Sequence, residues 1–346
     1  MSKEIKLSAS RIKTAKTCSF LYHAKYKLKL PDKKNDGASR GDICHCVFEC
    51  LGKKDKKKYF TKITKNKDVF SVPSIKRLIM KKAIGHGVDD EENLRLINDM
   101  IVAGLEYDFF GNDLQKPTEA YSELAFDLEL ESKGEKYKIK GFIDKLFLYK
   151  TKKFILIRDF KTSKKVFEGK EVSENYQDYI YSLAVRHLFP DYTKRESEFL
   201  FLKFDMKSGI KDSKGILRTK RISKKELDLF EGSLVKWQKY LENFNANSAK
   251  SAYAADKKIT KEDGFAGIIV CGFAKYPGQP KKNGDPMWHC AYKFPFDYYS
   301  LYDEKGDLVK KVFIDDYYEL VQMKKEGYSI KKEHYEGCPR WNRTSY

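Results

Sequence analysis

The sequence predicts an α/β fold in which helices precede a run of strands, with one more helix and strand after them. Three observations carry this. Apolar residues recur at near-helical spacing through residues 8–27 and 74–110, the period falls to two from residue 119, and helical spacing returns at 176–189. With 346 residues, the chain exceeds the roughly 50 to 250 of one domain, so one elaborated domain or a core with an extension is expected.

Ser8 and Ser10 are candidate caps for a first helix that continues through Ile12, Ala15, Phe20, Leu21 and Ala24. The polar loop PDKKNDGASRG (31–41) leads into DICHCVFECLG, where His45 and Glu49, four apart, share a helical face. The lysine-rich stretch 53–67 reads as a solvated or anion-facing segment, and 74–110 as one or two helices with an acidic DDEEN start. Next come EAYSELAFDLEL, KYKIKGFIDKLFLY and KFILIRDFKTS, parted by the turn-like ESKGE and KTKK, which predict three consecutive strands in a meander. YQDYIYSLAVRHLF (176–189) predicts a helix, SEFLFLKFD (197–205) a strand, and residues 223–244 a further helix. At NANSAKSAYAADK the composition shifts toward loops and aromatics. The expected division is a core over 1–245, with a helical insertion at about 53–115, and a C-terminal extension over 246–346 packing on it. There is no internal repeat and no clear coiled coil.

Hydrophobic residues make up 41%, aromatics 14% and charged residues 34%, which excludes a disordered, collagen-like or disulfide-framework chain. The formal charge, 69 minus 50 or +19, favours a polyanionic partner and salt-dependent association. Nucleic acid is the first such partner. The excess of 58 Lys over 11 Arg also fits a genome that favours lysine codons, as in a phage or a low-GC bacterium. No apolar run approaches the roughly 20 residues of a membrane span, and the N-terminus lacks a signal-peptide stretch, so a cytoplasmic location is expected. Seven cysteines without a secretion signal suggest thiols or metal ligands rather than disulfides.

The segment richest in chemistry is Gly141-Phe142-Ile143-Asp144 followed by Asp159-Phe160-Lys161-Thr162. Adjacent strands would bring Asp144 and Asp159 together, where two carboxylates repel unless a divalent cation with a taste for oxygen, Mg²⁺ or Mn²⁺, lies between them. Lys161, two residues beyond Asp159, projects to the same strand face. Two acids, a metal and an ammonium suit attack of water on a phosphodiester.

With these pieces on the page, the sequence resembles the PD-(D/E)XK nuclease superfamily and, within it, the RecB-like nucleases. The resemblance rests on Ser8-x-Ser10 with Cys18 and Tyr22, Arg40-Gly41 with His45 and Glu49, Gly141-x-Ile143-Asp144, Asp159-x-Lys161-Thr162, and Gln177 with Tyr181. It spans residues 8–205 and implies a mixed β-sheet flanked by helices. It further implies that His45, Asp144, Asp159 and the backbone carbonyl of Phe160 bind the metal, that Glu49 and Glu123 are further candidates for it, and that Lys161 is the catalytic lysine. Gln177 and Tyr181, with Arg40 and Thr162, are the implied DNA-contacting residues.

One branch of these nucleases carries a [4Fe–4S] cluster on a first-helix cysteine and three closely spaced C-terminal ones. Cys18 matches the first and Cys338-Pro339 resembles a family step, but Tyr stands at 335, and Cys271 and Cys290 depart from the tight spacing. An iron–sulfur cluster or zinc on Cys18, Cys271, Cys290 and Cys338 stands as the minority expectation.

Each motif also has a plainer reading. Asp144 and Asp159 alone would be strand-end acids, His45 a hydrogen-bonded helix histidine, and Gln177 and Tyr181 a structural pair. Cys44, Cys46 and Cys50 read as small core residues, and the aromatics of 291–321 as a subdomain core or a base-stacking surface. The function expected is a metal-dependent deoxyribonuclease, an exonuclease at duplex or single-stranded DNA ends, in recombination, repair or phage DNA metabolism. The alternatives are a structure-specific or CRISPR-associated endonuclease, and a non-catalytic DNA-binding or assembly protein. The chain lacks a G-x-x-x-x-G-K-[ST] motif, so unwinding would fall to a helicase, with a single-strand annealing or recombination protein as another partner.

Overall fold

The computed structural model describes residues 4–32, 35–206, 215–257, 270–284, 286–313, 320–321, 324 and 326–342. The chain divides into two compact units, one of residues 1–9 and 34–239, the other of 10–33 and 240–346. This differs from a single N-terminal core over 1–245. The predicted first helix belongs with the C-terminal residues, a grouping no linear reading of composition reveals.

In the larger unit, helices α3 (Asp36–Leu51), α4 (Lys57–Asn66), α5 (Pro73–His86) and α6 (Glu91–Glu106) precede the sheet; the two shorter helices before them belong to the smaller unit. Caps set their starts. The Asn35 side chain accepts from the amide of Ala38 and that of Asp90 from the amide of Asn93, each stabilising by about 1 kcal/mol. Pro73 opens α5, where its missing N–H costs nothing, and Gly87 at φ 64° closes it.

Strands β1 (Glu119–Ser132), β2 (Glu135–Tyr149) and β3 (Phe154–Lys161) form the meander, each antiparallel to the next. Helix α8 (Tyr176–Leu188), after the short α7 (Lys170–Ser173), then crosses over so that β4 (Lys194–Phe201) pairs parallel with β3. Strand β5 (Ile216–Arg218) completes a five-stranded mixed sheet in the order β1-β2-β3-β4-β5.

Side-chain alternation sorts the two faces of this sheet. Phe160, Leu200 and Leu202 join Ile43, Phe48, Ile79, Ile97 and Ile101 in one buried cluster under α3, α5 and α6. The residues of β3 that alternate with Phe160 meet α8, which packs on β2 and β4. Helices thus cover both faces, as expected for a mixed sheet in a helical sandwich. Where β3 and β4 lie side by side, Arg158 and Glu198 pair at 2.9 Å with 1% and 0% side-chain exposure, the most buried charges among the described residues.

The smaller unit begins with α1 (Ala9–Thr17) and α2 (Ser19–Tyr22), which leads into a π-turn over His23–Lys27. The sequence predicts one continuous helix here, and the break at Cys18, whose backbone is extended, has a tertiary cause. Ser19 donates its backbone N–H to the Ala252 carbonyl and its hydroxyl to the Ala249 carbonyl, so that its amide is satisfied outside the helical ladder. Helix α9 (Lys224–Glu242) leads in from the larger unit, and α10 (Ala246–Ala249) follows with an Asn245 and Ser248 capping box. A three-stranded antiparallel sheet, order β7-β6-β8, is built from β6 (Phe296–Tyr302), β7 (Leu308–Phe313) and β8 (Ser329–Tyr335). Leu301, Val312 and Leu320 are buried together beside it, with Tyr299 and Ile330 packed against them, so part of this aromatic-rich segment is core. Among the described residues no helix is long and apolar enough to cross a membrane.

Candidate metal centre

The antiparallel register of β2 and β3 runs through Lys145↔Arg158, so Asp144 and Asp159 are the next residues along, where the ladder ends. Both are buried, at 8% and 3% exposure. In place of another rung, the Asp144 carboxylate accepts the amide of Phe160 at 2.7 Å. The carboxylate is thereby fixed against the strand that carries Asp159.

On β1 the register passes from Ser122↔Lys145 to Leu124↔Ile143, and Glu123, between them, takes a left-handed backbone at φ 50°. A non-glycine residue in that region costs of order 1 kcal/mol or more and occurs preferentially at functional sites. Here the kink carries the Glu123 carboxylate to His45. His45 Nδ1 lies 3.5 Å from Glu123 Oε1 and 3.4 Å from Asp144 Oδ1. Burial would lower the His45 pKa, and hydrogen bonding to Asp144 and Glu123 overrides it, pushing the imidazole up to about 10. One ligand atom from each of His45, Glu123 and Asp144 lies within 4.8 Å of the others.

Asp159 faces the same point from β3. Burial and the charge of Asp144 raise its pKa, while Lys161 and His45 oppose the shift. The Lys161 ammonium is 2.6 Å from Asp159 Oδ2, yet that oxygen has no hydrogen bond of good geometry and is buried. Crowded buried carboxylates beside an imidazole are the donor set that a hard divalent cation satisfies. The residues present therefore fit Mg²⁺ or Mn²⁺.

Gln177 ties the centre to α8. The Asn175 cap accepts the amides of Gln177 and Asp178 and sets the helix start. The Gln177 amide then donates to Asp159 Oδ1 at 2.5 Å and to the Tyr181 hydroxyl at 2.8 Å, while its carbonyl accepts from Lys161 Nζ at 2.7 Å. Both side chains thus face the acid and the lysine, and Tyr181 is itself 8% exposed, its hydroxyl raised well above the usual range by burial.

The remaining sequence-predicted residues fall differently. Glu49 turns to solvent and pairs with Lys53 at 3.9 Å, outside the His45, Glu123 and Asp144 group, because one helical turn separates it from His45 along the outer surface of α3. Arg40 is 8% exposed and donates to the Asn93 side chain, and Thr162 is half-buried with its hydroxyl against Gly41. Phe160 stacks on Phe48 at 4.2 Å and meets the His45 ring edge-on at 6.4 Å, contacts that sequence spacing does not announce. Cys44 is buried in the α3 core with its thiol pushed up to about 12 by burial, and Cys46 and Cys50 are half-buried.

The sequence model of the PD-(D/E)XK nuclease superfamily matches residues 6–267, more than half of the chain. The chain belongs to the PD-(D/E)XK nuclease superfamily. Among solved structures it is similar to the crystal structure of SSO0001, with 18% identity over 48% of this chain and 68% of that one and a TM-score of 0.27. No curated protein matches it.

In the smaller unit of this PD-(D/E)XK protein, Cys18, Cys271, Cys290 and Cys338 line a single pocket with Phe20, Tyr253, Lys293 and Trp341. All four thiols are free. The extended backbone at Cys18 and the Cys290 amide bond to the Cys271 carbonyl bring together residues that stand far apart in sequence. Burial pushes the Cys290 thiol up to about 12 and that of Cys338 up to about 11, and each is further raised by the neighbouring thiols. Lys293, 5% exposed, bonds the carbonyls of Gly272 and Ala274 and sits near enough to Cys271, Cys290 and Cys338 to feel their charge. Nothing in the sequence marks this lysine beyond its place three residues after Cys290. Among the described residues no three of the sulfurs lie within 4.8 Å of one another.

Proposed function

We propose that this chain is a Mg²⁺- or Mn²⁺-dependent deoxyribonuclease of the RecB-like type that acts as an exonuclease at DNA ends. The observation that carries the reading is the convergence of His45, Glu123 and Asp144 within 4.8 Å, with Asp159 and Lys161 beside them. His45, Glu123, Asp144, Asp159 and the Phe160 carbonyl would hold the ion. A bound divalent ion supplies Lewis acidity and an acidified water. The chain's own groups do the rest. Lys161 offsets charge on the phosphate and orients the attacking water, Gln177 holds Lys161 and Asp159 in their relative positions, and Tyr181 holds Gln177.

The net charge of +19 supports a DNA substrate. Work at ends in recombination, repair or phage DNA metabolism would place it in a cytoplasm beside a helicase or a single-strand annealing protein, since the chain carries no phosphate-loop motif of its own. The same reading extends to Cys18, Cys271, Cys290 and Cys338 as ligands of an iron–sulfur cluster. Their sulfurs are spread more widely than the tetrahedron around zinc, where Zn–S is about 2.3 Å, and Lys293 would offset the charge of four thiolates.

Digestion of linear duplex, linear single-stranded and covalently closed circular DNA with Mg²⁺ or Mn²⁺ tests the reading, comparing wild type with Lys161→Ala. Loss of linear DNA alone, abolished by the substitution, is expected. Cleavage of circles would replace the exonuclease with an endonuclease, and binding without cleavage under both metals would leave a scaffold.

A further inference from the structure

A second charged cluster stands at the end of the β3/β4 pair, apart from the metal ligands. The Leu202 amide donates to the Lys161 carbonyl at 2.9 Å, just past the last strand pair Lys161↔Phe201, so that Lys203 is the next residue of its segment as the chain leaves the sheet. Helix α3 reaches the same place. A side-chain carbon at Gly41 would come within 2.9 Å of the Thr162 hydroxyl, so only a glycine lets the helix approach this closely, and Arg40 precedes it. Lys164 follows two residues after Thr162 and is exposed.

Arg40, Lys164 and Lys203, from three segments, lie near enough to one another for the first two to act on the third. Among the described residues no ion pair involves Lys164 or Lys203. Arg40 gives one nitrogen to the neutral Asn93 amide, and its Nε is buried with no hydrogen-bond partner although the residue is only 8% exposed. Asp90, the nearest acid in that chain of bonds, spends its carboxylate on Asn93. The arrangement is electrostatically costly as it stands: burial, then Arg40 and Lys164, hold the Lys203 ammonium below its ordinary range. Such a set persists where an anion completes it.

We infer that Arg40, Lys164 and Lys203 bind one phosphate of the nucleic-acid strand, adjacent to the phosphate that is cut. Lys164 lies three residues beyond Lys161, at most about 10 Å along an extended chain, which is one or two phosphate spacings. This rests on the nuclease reading for the identity of the strand and deepens it, assigning a subsite that holds the strand in register with the metal centre. A terminal monoester and an internal diester offer the same phosphate oxygens.

The test is equilibrium binding of a short single-stranded DNA, carrying either a 5′-phosphate or a 5′-hydroxyl, in Ca²⁺ over a series of salt concentrations. The variants are Lys164→Gln/Lys203→Gln and, as a charge-matched control, Lys224→Gln/Lys225→Gln on α9, with thermal midpoints measured for both. Expected is weaker binding by the first variant, with a salt dependence shallower by about 0.7 to 1 in logarithmic slope, and wild-type binding by the control. If the loss is confined to the 5′-phosphorylated strand the site holds a terminal phosphate, and if both strands weaken equally it holds an internal one. Unchanged slope and affinity in the first variant, or an equal loss in the control, would overturn the assignment. Wild-type protein that binds DNA with this slope but cuts none under Mg²⁺ or Mn²⁺ would sink the nuclease reading and leave the phosphate site standing.

Discussion

The carboxylate of Asp144 accepts the amide of Phe160 at 2.7 Å, where the β2–β3 ladder gives way, and this bond connects the strands that supply Asp144 and Asp159 to the centre. The peptide that joins Asp159 to Phe160 is thereby anchored to Asp144. Asp144→Asn keeps an acceptor for that amide and removes the charge, whereas Asp144→Ala removes both. Both variants should lose hydrolysis, and the alanine should in addition melt lower, by about 1 to 3 kcal/mol for the unsatisfied buried amide, as measured by denaturant unfolding.

Gln177 contacts Lys161, Asp159 and Tyr181 and is a positioning residue. Gln177→Ala should lower kcat by about 10- to 100-fold, the usual cost of losing an orienting partner, with little change in KM. Tyr181→Phe removes only the hydroxyl that Gln177 bonds and should give a smaller loss in the same direction. A KM effect without a kcat effect for either variant would instead make these residues substrate contacts.

Glu123 reaches His45 through a left-handed backbone at φ 50°. Glu123→Gln should raise the half-saturating Mn²⁺ concentration for cleavage, and titration calorimetry should show metal affinity reduced by about 10- to 100-fold. Glu49→Gln, whose carboxylate pairs with Lys53 instead, should leave metal affinity unchanged.

Glu198, at 0% side-chain exposure, is bonded by Arg158, Arg218 and Tyr107. Burial alone would raise its carboxyl, and the two guanidiniums outweigh burial and hold it below the ordinary 4.5. A depressed carboxyl contributes stability that is fully present above 4.5 and is lost as pH falls through the folded-state value. Glu198→Gln should therefore cost about 3 to 5 kcal/mol at neutral pH, by leaving the guanidiniums of Arg158 and Arg218 with only the Asp108 carboxylate, 3.4 Å from Arg158, to balance them, and should flatten the acid limb of the unfolding curve.

Cys18→Ala and Cys290→Ala should each abolish visible charge-transfer absorbance and bound iron in anaerobically purified protein, while Cys46→Ala should not, since Cys46 lies on α3 outside the cysteine pocket. Colourless wild-type protein without iron or zinc would remove the metal reading of these thiols.

Periodicity alone determined the helices over 74–110, the three-strand meander, α8 and the next strand, because patterns of 3.6 and 2 follow from which side of an element is buried. The spacing of Asp144, Asp159 and Lys161 likewise followed from strand geometry, since a tight antiparallel turn sets partners opposite one another. What only the tertiary structure decided depends on contacts distant in sequence. Ser19 bonding to residues near 250 breaks the first helix at Cys18, a kink at Glu123 brings that acid rather than Glu49 to His45, and four cysteines as far apart as 18 and 338 share a pocket. Lys164 and Lys203 were unremarkable among 69 basic residues until the ends of β3 and β4 brought them near Arg40, which the sequence had marked by its motif. A local pattern records the burial of a face, but the meeting of two segments is fixed by packing and hydrogen bonds whose partners lie far along the chain.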